Sequence, residues 1–510
     1  MTDPVALEVF RYQLSSIADE MGVVLRLTSL SPNIKERADC SAAVFDASGQ
    51  MLAQAEHIPV HLGSMPASVQ ACIDRFDPAP GQQFAVNDPF QGGTHLNDLT
   101  LVSPVFAGNA LVGWVANRAH HADVGGEAPG SMPAHAITLE QEGHVVSPML
   151  AVVDNRWVDE FSVPFLGATR TPLERRGDLA AQIGANAIGA LRLAELVESE
   201  DADSFYRLGQ ALLDYGERRM TGALRDLPSG TFEFVDYMEH GEKDVAIRVS
   251  VTIDNGSLIA DFAGTDGQVA ANFNAVRAVT LSCLYYAVRV ATDPTIPANG
   301  GCYRPIELRT RAGSLVDAVA PAAVAAGNVE TSQRIADVVL GALAPAAPHR
   351  VGAASQGTMN NVLIGNERFA YYETVAGGQG GRPTGAGQSG IQTGMTNTEN
   401  TPIEALEAHY PFRIRRYTLR RGSGGDGVNR GGDGIEREIE FLEGATLSLM
   451  GERRRNQPWG LNGGSQGLSG EDWLIRGADR QRLPGKTTIE VEAGDRLLVL
   501  TPGGGGWNPV

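Results

Sequence analysis

Residues 95–123, HLNDLTLVSPVFAGNALVGWVANRAHHAD, decide how this chain is read. Leu99–Phe106 and Ala110–Asn117 are apolar runs joined by Ala107-Gly108-Asn109. Two such runs across a short Gly-Asn turn predict a β-hairpin. Pro104 places its strand at an edge or an irregularity, because proline brings no N–H to the ladder. His95-Leu-Asn-Asp98 leads into the first strand, and His120-His121-Ala-Asp123 leaves the second. Both segments read His-x-x-Asp. A turn centred on Gly108 pairs position 98 with 118 and 95 with 121. Facing residues of an antiparallel ladder lie about 4.5–5.5 Å apart. The hairpin therefore carries both segments to one end. Imidazole nitrogens beside carboxylate oxygens suit a divalent ion such as Mn, Fe or Zn. No thiolate is near, which leans away from a structural zinc knot. The bland alternative is two His/Asp pairs that only cap loops.

Three further strings surround the hairpin. Asp39, in Glu36-Arg-Ala-Asp39-Cys40-Ser41, leads into the apolar run Ala42–Phe45. At a sheet end its carboxylate completes a His/carboxylate metal shell; in an open loop it merely faces water. His57-Ile-Pro-Val-His61 holds two histidines four apart, but Pro59 between them argues for extended chain. His57 and His61 are either core histidines, or ones that steady a ligand, or themselves ligands, and they are candidates to touch substrate. Tyr371-Tyr-Glu373-Thr-Val-Ala-Gly-Gly-Gln-Gly-Gly runs on to Thr396-Asn-Thr-Glu-Asn-Thr-Pro-Ile-Glu404. Its glycines let backbone amides approach a ligand, with Glu373 as a substrate-side candidate; a structural loop is the alternative. No Gly-Lys-Ser/Thr follows, so this is not a P-loop, and no strand–turn–helix context makes it a dinucleotide fingerprint.

Composition bounds the rest. The chain has 510 residues, enough for about three domains. A net charge of -19 disfavours nucleic acid or an anionic membrane as the main partner. The start, MTDPVALEVF, has no basic region, and no apolar run reaches about 18 residues. Neither secretion nor membrane spanning is expected. Cys40, Cys72, Cys283 and Cys302 form no CxxC and read as buried hydrophobes. The 61 glycines are well above the usual ~7%, which predicts tight turns and close backbone approaches.

Apolar residues at Leu7, Phe10, Leu14, Ile17, Met21 and Leu25 predict a helix over 4–29, with Pro4 in its first turn. Helices are expected over 174–226, with an acidic break at Glu198–Asp203, and over 273–292 and 330–344. Strands are expected at Gln83–Val86, within 230–263, and repeatedly after 412. Helices and strands do not alternate regularly, so the fold class is α+β: mixed, largely antiparallel sheets with packed helices. The expected parts are 1–172 with the metal site, 173–345, and a Gly- and β-rich 346–510.

Read together, seven strings resemble the hydantoinase B / 5-oxoprolinase family. They are ERADCSAAVFD from 36, HIPVHLGSMPASV from 57, NDPFQGGTHLNDLTLVSPVF from 87, ANRAHHADVGGEAPGSMP from 116, YYETVAGGQGG from 371, MTNTENTPIEALEAHYPFRI from 395 and LTPGGGGW from 500. The resemblance covers essentially the whole chain. It implies a cytoplasmic subunit that works with a hydantoinase A-type partner, in a hetero-oligomer such as a heterotetramer, with ATP/Mg on that partner. It implies a reaction in which a carbonyl oxygen is phosphorylated before a cyclic amide such as a hydantoin, 5-oxoproline or a lactam is opened. It places the metal on His95, Asp98 and His120, with Asp39 as fourth ligand. His121 and Asp123 are then candidates for proton transfer or for steadying the ligands. The family often carries a His-rich string before MTNT; here Ser389–Gly394 has Gln392 and no histidine. Two alternatives stand beside the hydrolase: a subunit of an ATP-dependent ketone carboxylase, and a non-catalytic scaffold, against which the intact His95, Asp98 and His120 speak.

Overall fold

The computed structural model describes residues 3–55 and 58–510. Strands β1 (Cys40–Asp46), β2 (Met51–Ala55), β3 (Gln82–Val86), β4 (Asp98–Ala107), β5 (Ala110–His120), β6 (Met149–Val153) and β7 (Arg156–Trp157) form one antiparallel sheet in the order β2-β1-β5-β4-β3-β6-β7. β1 is buried along its whole length because both faces of the sheet are covered. Its side chains alternate as strand geometry requires. Ala42 and Val44 join the core beneath the Pro4–Thr28 helix, while Ala43 and Phe45 join the large central core.

The Pro4–Thr28 helix begins at an Asp3 cap and has Pro4 in its first turn. It buries Phe10, Leu14, Ile17, Met21 and Leu25 at helical spacing, close to the expected set. Each such side chain contributes about 1.5–3 kcal/mol on full burial. The Pro172–Glu200 helix lies beside it on the same face of the sheet. Asn186 and Gln182 of that helix donate to the backbone carbonyls of Leu101 and Leu99 on β4. The helical block divides into two helices at Asp201, within the acidic stretch where a break is expected.

Pro104 lies in an interior strand, not an edge. It sits past the point where β3 stops pairing, beside a bulge at Val105/Phe106. The irregularity takes the place of the edge. Strands β8 (Gly230–Met238), β9 (Val245–Asp254), β10 (Ser257–Asp261) and β11 (Ile306–Arg309) form a second sheet, with only the β10–β11 pair parallel. The Arg277–Ala291 and Ser332–Leu343 helices pack into the central core with it.

The C-terminal region is built from two antiparallel sheets. β12 (Asn361–Gly365) and β13 (Ala370–Thr374) belong to one, and β14 (Phe412–Arg420) and β15 (Gly434–Phe441) to the other. Four irregular glycine-rich stretches cross-bond beside them. Gly378 N–H donates to Pro502 O, Gly504 to Gly432 O, and Gly432 to Gln379 O. These chains touch backbone to backbone: a Cβ on Gly378 would lie 2.0 Å from Gly432 O. The high glycine content is thus spent on packing. The mixed sheets and packed helices make the fold α+β, as the sequence predicts.

Candidate metal centre

The hairpin delivers its ends differently from the sequence expectation. Asp98 pairs with His120, not with position 118. The turn holds two residues between Ala107 and Ala110, which shifts the register by one, and the bulge at Val112 shifts it by one more. A shift of two preserves which face each residue occupies. Both His-x-x-Asp segments therefore still reach the same end, where Asn97 and His121 continue the ladder through a 2.8 Å backbone bond.

At that end His95, Asp98 and His120 each offer a ligand atom, all within 4.8 Å of one another. Asp98 Oδ1 lies 3.2 Å from His95 Nε2 and 3.3 Å from His120 Nδ1. Asp39 immediately precedes β1, which pairs with β5, so its carbonyl accepts from His120 N–H and its Oδ2 lies 3.9 Å from His120 Nδ1. His61 ends a 3₁₀ turn at Pro59–His61. Its Nε2 is 3.4 Å from Asp98 Oδ2, and its Nδ1 shares a 2.8 Å bond with Ser41 Oγ. Thr94 Oγ1 donates to Asp98 Oδ2, as does Asn328 Nδ2.

All of these groups are buried. Burial alone would raise Asp98, but His95, His61 and a bond from His120 hold it well below the carboxylate range. Burial pulls His95 down despite Asp98 beside it. An ionised carboxylate beside a neutral imidazole is the protonation state that binds a metal. Nδ1 of His95 and Nε2 of His120 are buried without a hydrogen-bond partner, and His95 Nε2 meets only the Asp98 carboxylate. A buried polar atom left so costs about 1–3 kcal/mol, and a cation supplies the missing partner. The donor set fits a divalent ion.

A cavity of about 20 Å³ opens beside Asp39, His61, Asp98 and His120, room for an ion or a water. Its walls come from distant segments. Tyr372 stacks on His120 at 4.7 Å, and Thr374, Thr396 and Thr398 add hydroxyls while Val60 and Met359 add apolar surface. None of these follows from the hairpin, although the Thr396–Thr401 string and the Tyr-Tyr-Glu string both stand out in the sequence. Gln392 donates to Thr374 O and Oγ1. A roomier cleft of about 530 Å³ lies between Glu239 and Lys486; it holds none of the His–Asp cluster, and its Arg454, Arg455 and Lys486 are already paired to acids.

The structure thus gathers Asp39, His61, His95, Asp98 and His120. Three other candidates sit elsewhere. His121 bonds Gln182 at 3.0 Å and meets the edge of Phe165, and burial with Arg175 pushes it down to about 4. Asp123 accepts from Arg170, Gly125 N and Gly130 N, fixing the loop after the hairpin. Glu373 makes a two-pronged bond with Arg437 at 2.7 and 2.8 Å. Strand alternation explains this: Tyr372 and Thr374 face the cavity, so Glu373 between them faces away. His57 lies outside the described residues. The amides of the Gly377–Gly381 loop are all taken, by Ile391 O, Pro502 O, Gln388 O, Ser355 Oγ and Gly505 O in turn. Among the described residues no helix is long and apolar enough to cross a membrane.

Known proteins share this fold and much of this sequence. The chain is 40% identical to 5-oxoprolinase 1 of Arabidopsis thaliana over 99% of its own length and 42% of that protein's. It is 30% identical to a putative D-/L-hydantoinase subunit of a Pseudomonas strain, over 100% of this chain and 90% of that one. Its fold matches the crystal structure of the ATP-dependent caprolactamase from Pseudomonas jessenii with a TM-score of 0.94 and 28% identity, covering 100% of this chain and 92% of that one. The family model Hydantoinase B/oxoprolinase matches residues 3–509, and the chain belongs to that family.

Proposed function

We propose that this chain is the metal-bearing subunit of an ATP-dependent cyclic-amide hydrolase. The observation that carries the reading is the convergence of Asp39, His95, Asp98 and His120 with unpartnered ring nitrogens. Two similarities support it: a caprolactamase described as ATP-dependent, and a relative named as a putative hydantoinase subunit. The chain spans less than half the length of the 5-oxoprolinase it resembles.

Asp39, His95, Asp98 and His120 would hold the ion. A bound divalent ion polarises a carbonyl oxygen or lowers the pKa of a water. The hydantoinase A-type partner phosphorylates the amide carbonyl oxygen and so makes its carbon a better electrophile. His61, clamped by Ser41, faces the cavity and is placed to hold or move a proton at Nε2. Thr374, Thr396 and Thr398 line the cavity with hydroxyls, of which Thr374 and Thr398 bond each other, while Val60 and Met359 limit the entry of water.

The test is co-expression with a hydantoinase A-type subunit, followed by turnover of hydantoin, 5-oxoproline and small lactams with ATP, with and without bicarbonate. Ring opening coupled to ADP release without bicarbonate is the expected result. Strict dependence on bicarbonate makes the complex a carboxylase. A complex that turns over nothing once the metal is restored leaves a scaffold.

A further inference from the structure

One short segment, far away in sequence, touches one arm of the metal centre and reaches the other through a bonded path. Gly327–Thr331 is a π-helical turn, a form of helix that recurs at functional sites because it costs stability. It carries Asn328 and Glu330. Asn328 Nδ2 donates to Asp98 Oδ2 at 3.2 Å. The Glu330 carboxyl reaches the other way. Its Oε1 accepts from Met359 N at 2.9 Å and from Asn361 Nδ2 at 2.7 Å. Asn361 Oδ1 in turn accepts from the Tyr372 hydroxyl at 2.8 Å, and the Tyr372 ring lies nearly parallel to His120, 16° between planes.

We infer that the Gly327–Thr331 turn is a clamp that positions the metal site, with Asn328 setting the Asp98 carboxylate and Glu330 setting the His120 ring through Asn361 and Tyr372. This inference rests on the metal reading above. The physical case is one of rigidity. Asp98 and His120 are the last strand pair of the hairpin, with a single backbone bond, His121 N–H to Asn97 O, beyond them. A side chain at a ladder's end keeps its rotamer only if something outside the hairpin holds it. Asn328 and Tyr372 come from outside and contact one ligand each. Glu330 ties those two contacts together, because it shares a backbone turn with Asn328 and a bonded path with Tyr372. Every member of the path is buried. Glu330 is a positioning residue: it touches neither ligand.

The geometry also selects the test. Both bonds that tie Glu330 to the path are accepted by Oε1, and Oε2 is not part of it. Glu330→Gln keeps that accepting oxygen and the path. Glu330→Ala removes it. Tyr372→Phe keeps the ring against His120 and deletes only the hydroxyl that reaches Asn361.

Mn²⁺ and Zn²⁺ affinity of the purified chain is measured by calorimetry, beside the thermal stability of the metal-free protein. Groups that orient metal ligands are worth about 10–100-fold in affinity. Glu330→Ala and Tyr372→Phe are expected to weaken binding within that range, Glu330→Gln to bind close to wild type, and Tyr372→Phe to lower metal-free stability by no more than its one lost hydrogen bond. Unchanged affinity in Tyr372→Phe and Glu330→Ala overturns the clamp while leaving the metal site standing. Loss of stability with affinity intact overturns it too, and makes Glu330 a packing residue. Should Glu330→Ala fail to fold, Tyr372→Phe and Glu330→Gln decide. A wild-type chain that binds neither ion overturns both the clamp and the metal reading.

Discussion

Asp98 and His120 are direct partners across the last rung of the β4–β5 ladder, with Asp98 Oδ1 3.3 Å from His120 Nδ1. One hairpin therefore fixes an anion and an imidazole at bonding distance before any other segment arrives. His95 lies three residues upstream of Asp98 and closes the triad.

Replacing His95 is expected to abolish metal uptake and turnover while the fold persists. A metal that binds only the folded state stabilises it by about 2.7 kcal/mol at a free concentration 100-fold above Kd. Wild type should gain stability on addition of Mn²⁺ or Zn²⁺, and His95→Ala should gain none. His95 is fully buried, so some intrinsic loss is expected as well. The measurement is denaturant unfolding with and without metal. Equal metal-dependent stabilisation in the variant removes His95 from the ligand set.

Asp123→Ala should act on the fold. The carboxylate faces Arg170, whose side chain is partly exposed, and three backbone amides, and each buried amide left unpaired costs about 1–3 kcal/mol. Unfolding free energy and the metal affinity of the surviving folded fraction check this. A variant as stable as wild type but inactive would make Asp123 part of the chemistry.

The paired His-x-x-Asp segments are legible in sequence because a hairpin is local: its ends meet whatever the rest of the chain does. The register itself is not, because the bulge at Val112 depends on packing beyond the turn. Asp39 is readable from its place just ahead of a strand. Asn328, Met359 and Tyr372 are not, since they reach Asp98 and His120 across more than 200 residues and carry no metal-ligand chemistry of their own. Glu373 draws attention through its glycine-rich neighbours, yet strand alternation turns it to Arg437. The glycines themselves are packing surface, which composition alone does not distinguish from a ligand loop.

Stability should fall as pH rises from about 6.5 to about 8. Burial pushes Glu142 and Glu330 each up to about 8, against 4.5 for a free carboxyl. Between those values the folded state holds protons that the unfolded chain has released, so stability is lost with rising pH. His95 and His121 are lowered and work in the opposite sense, but only below their ordinary value of 6.5. Unfolding midpoints across that window check the sign. Glu330→Gln, with nothing to titrate, should reduce the slope.

Gly504→Ala should destabilise the C-terminal region by about 3 kcal/mol or more, the upper end for overpacking. The added Cβ would lie 2.1 Å from Gln379 O, and backbone on both sides cannot move aside as a side chain can. Gly477→Ala is the control: no atom lies within 4 Å of the added carbon, although φ is +58° there. Its strain is confined to one exposed turn. Urea unfolding of the two variants compares them, and an equal effect would refute the packing account.

The isolated chain should not bind Mg-ATP. Phosphate recognition needs free backbone amides or an available cation. The Gly377–Gly381 loop looks suited in sequence, but each of its amides already donates within the chain. Opening it for a phosphate would break those bonds and separate Gly378 from Gly432 and Gly504, which pack against it at van der Waals distance. The net charge of -19 offers no general attraction for a polyanion either. Calorimetry of the chain without its partner, with Mg-ATP as titrant, is expected to show only heats of dilution. Adding the hydantoinase A-type subunit should then produce binding. Micromolar affinity in the isolated chain would place a nucleotide site here.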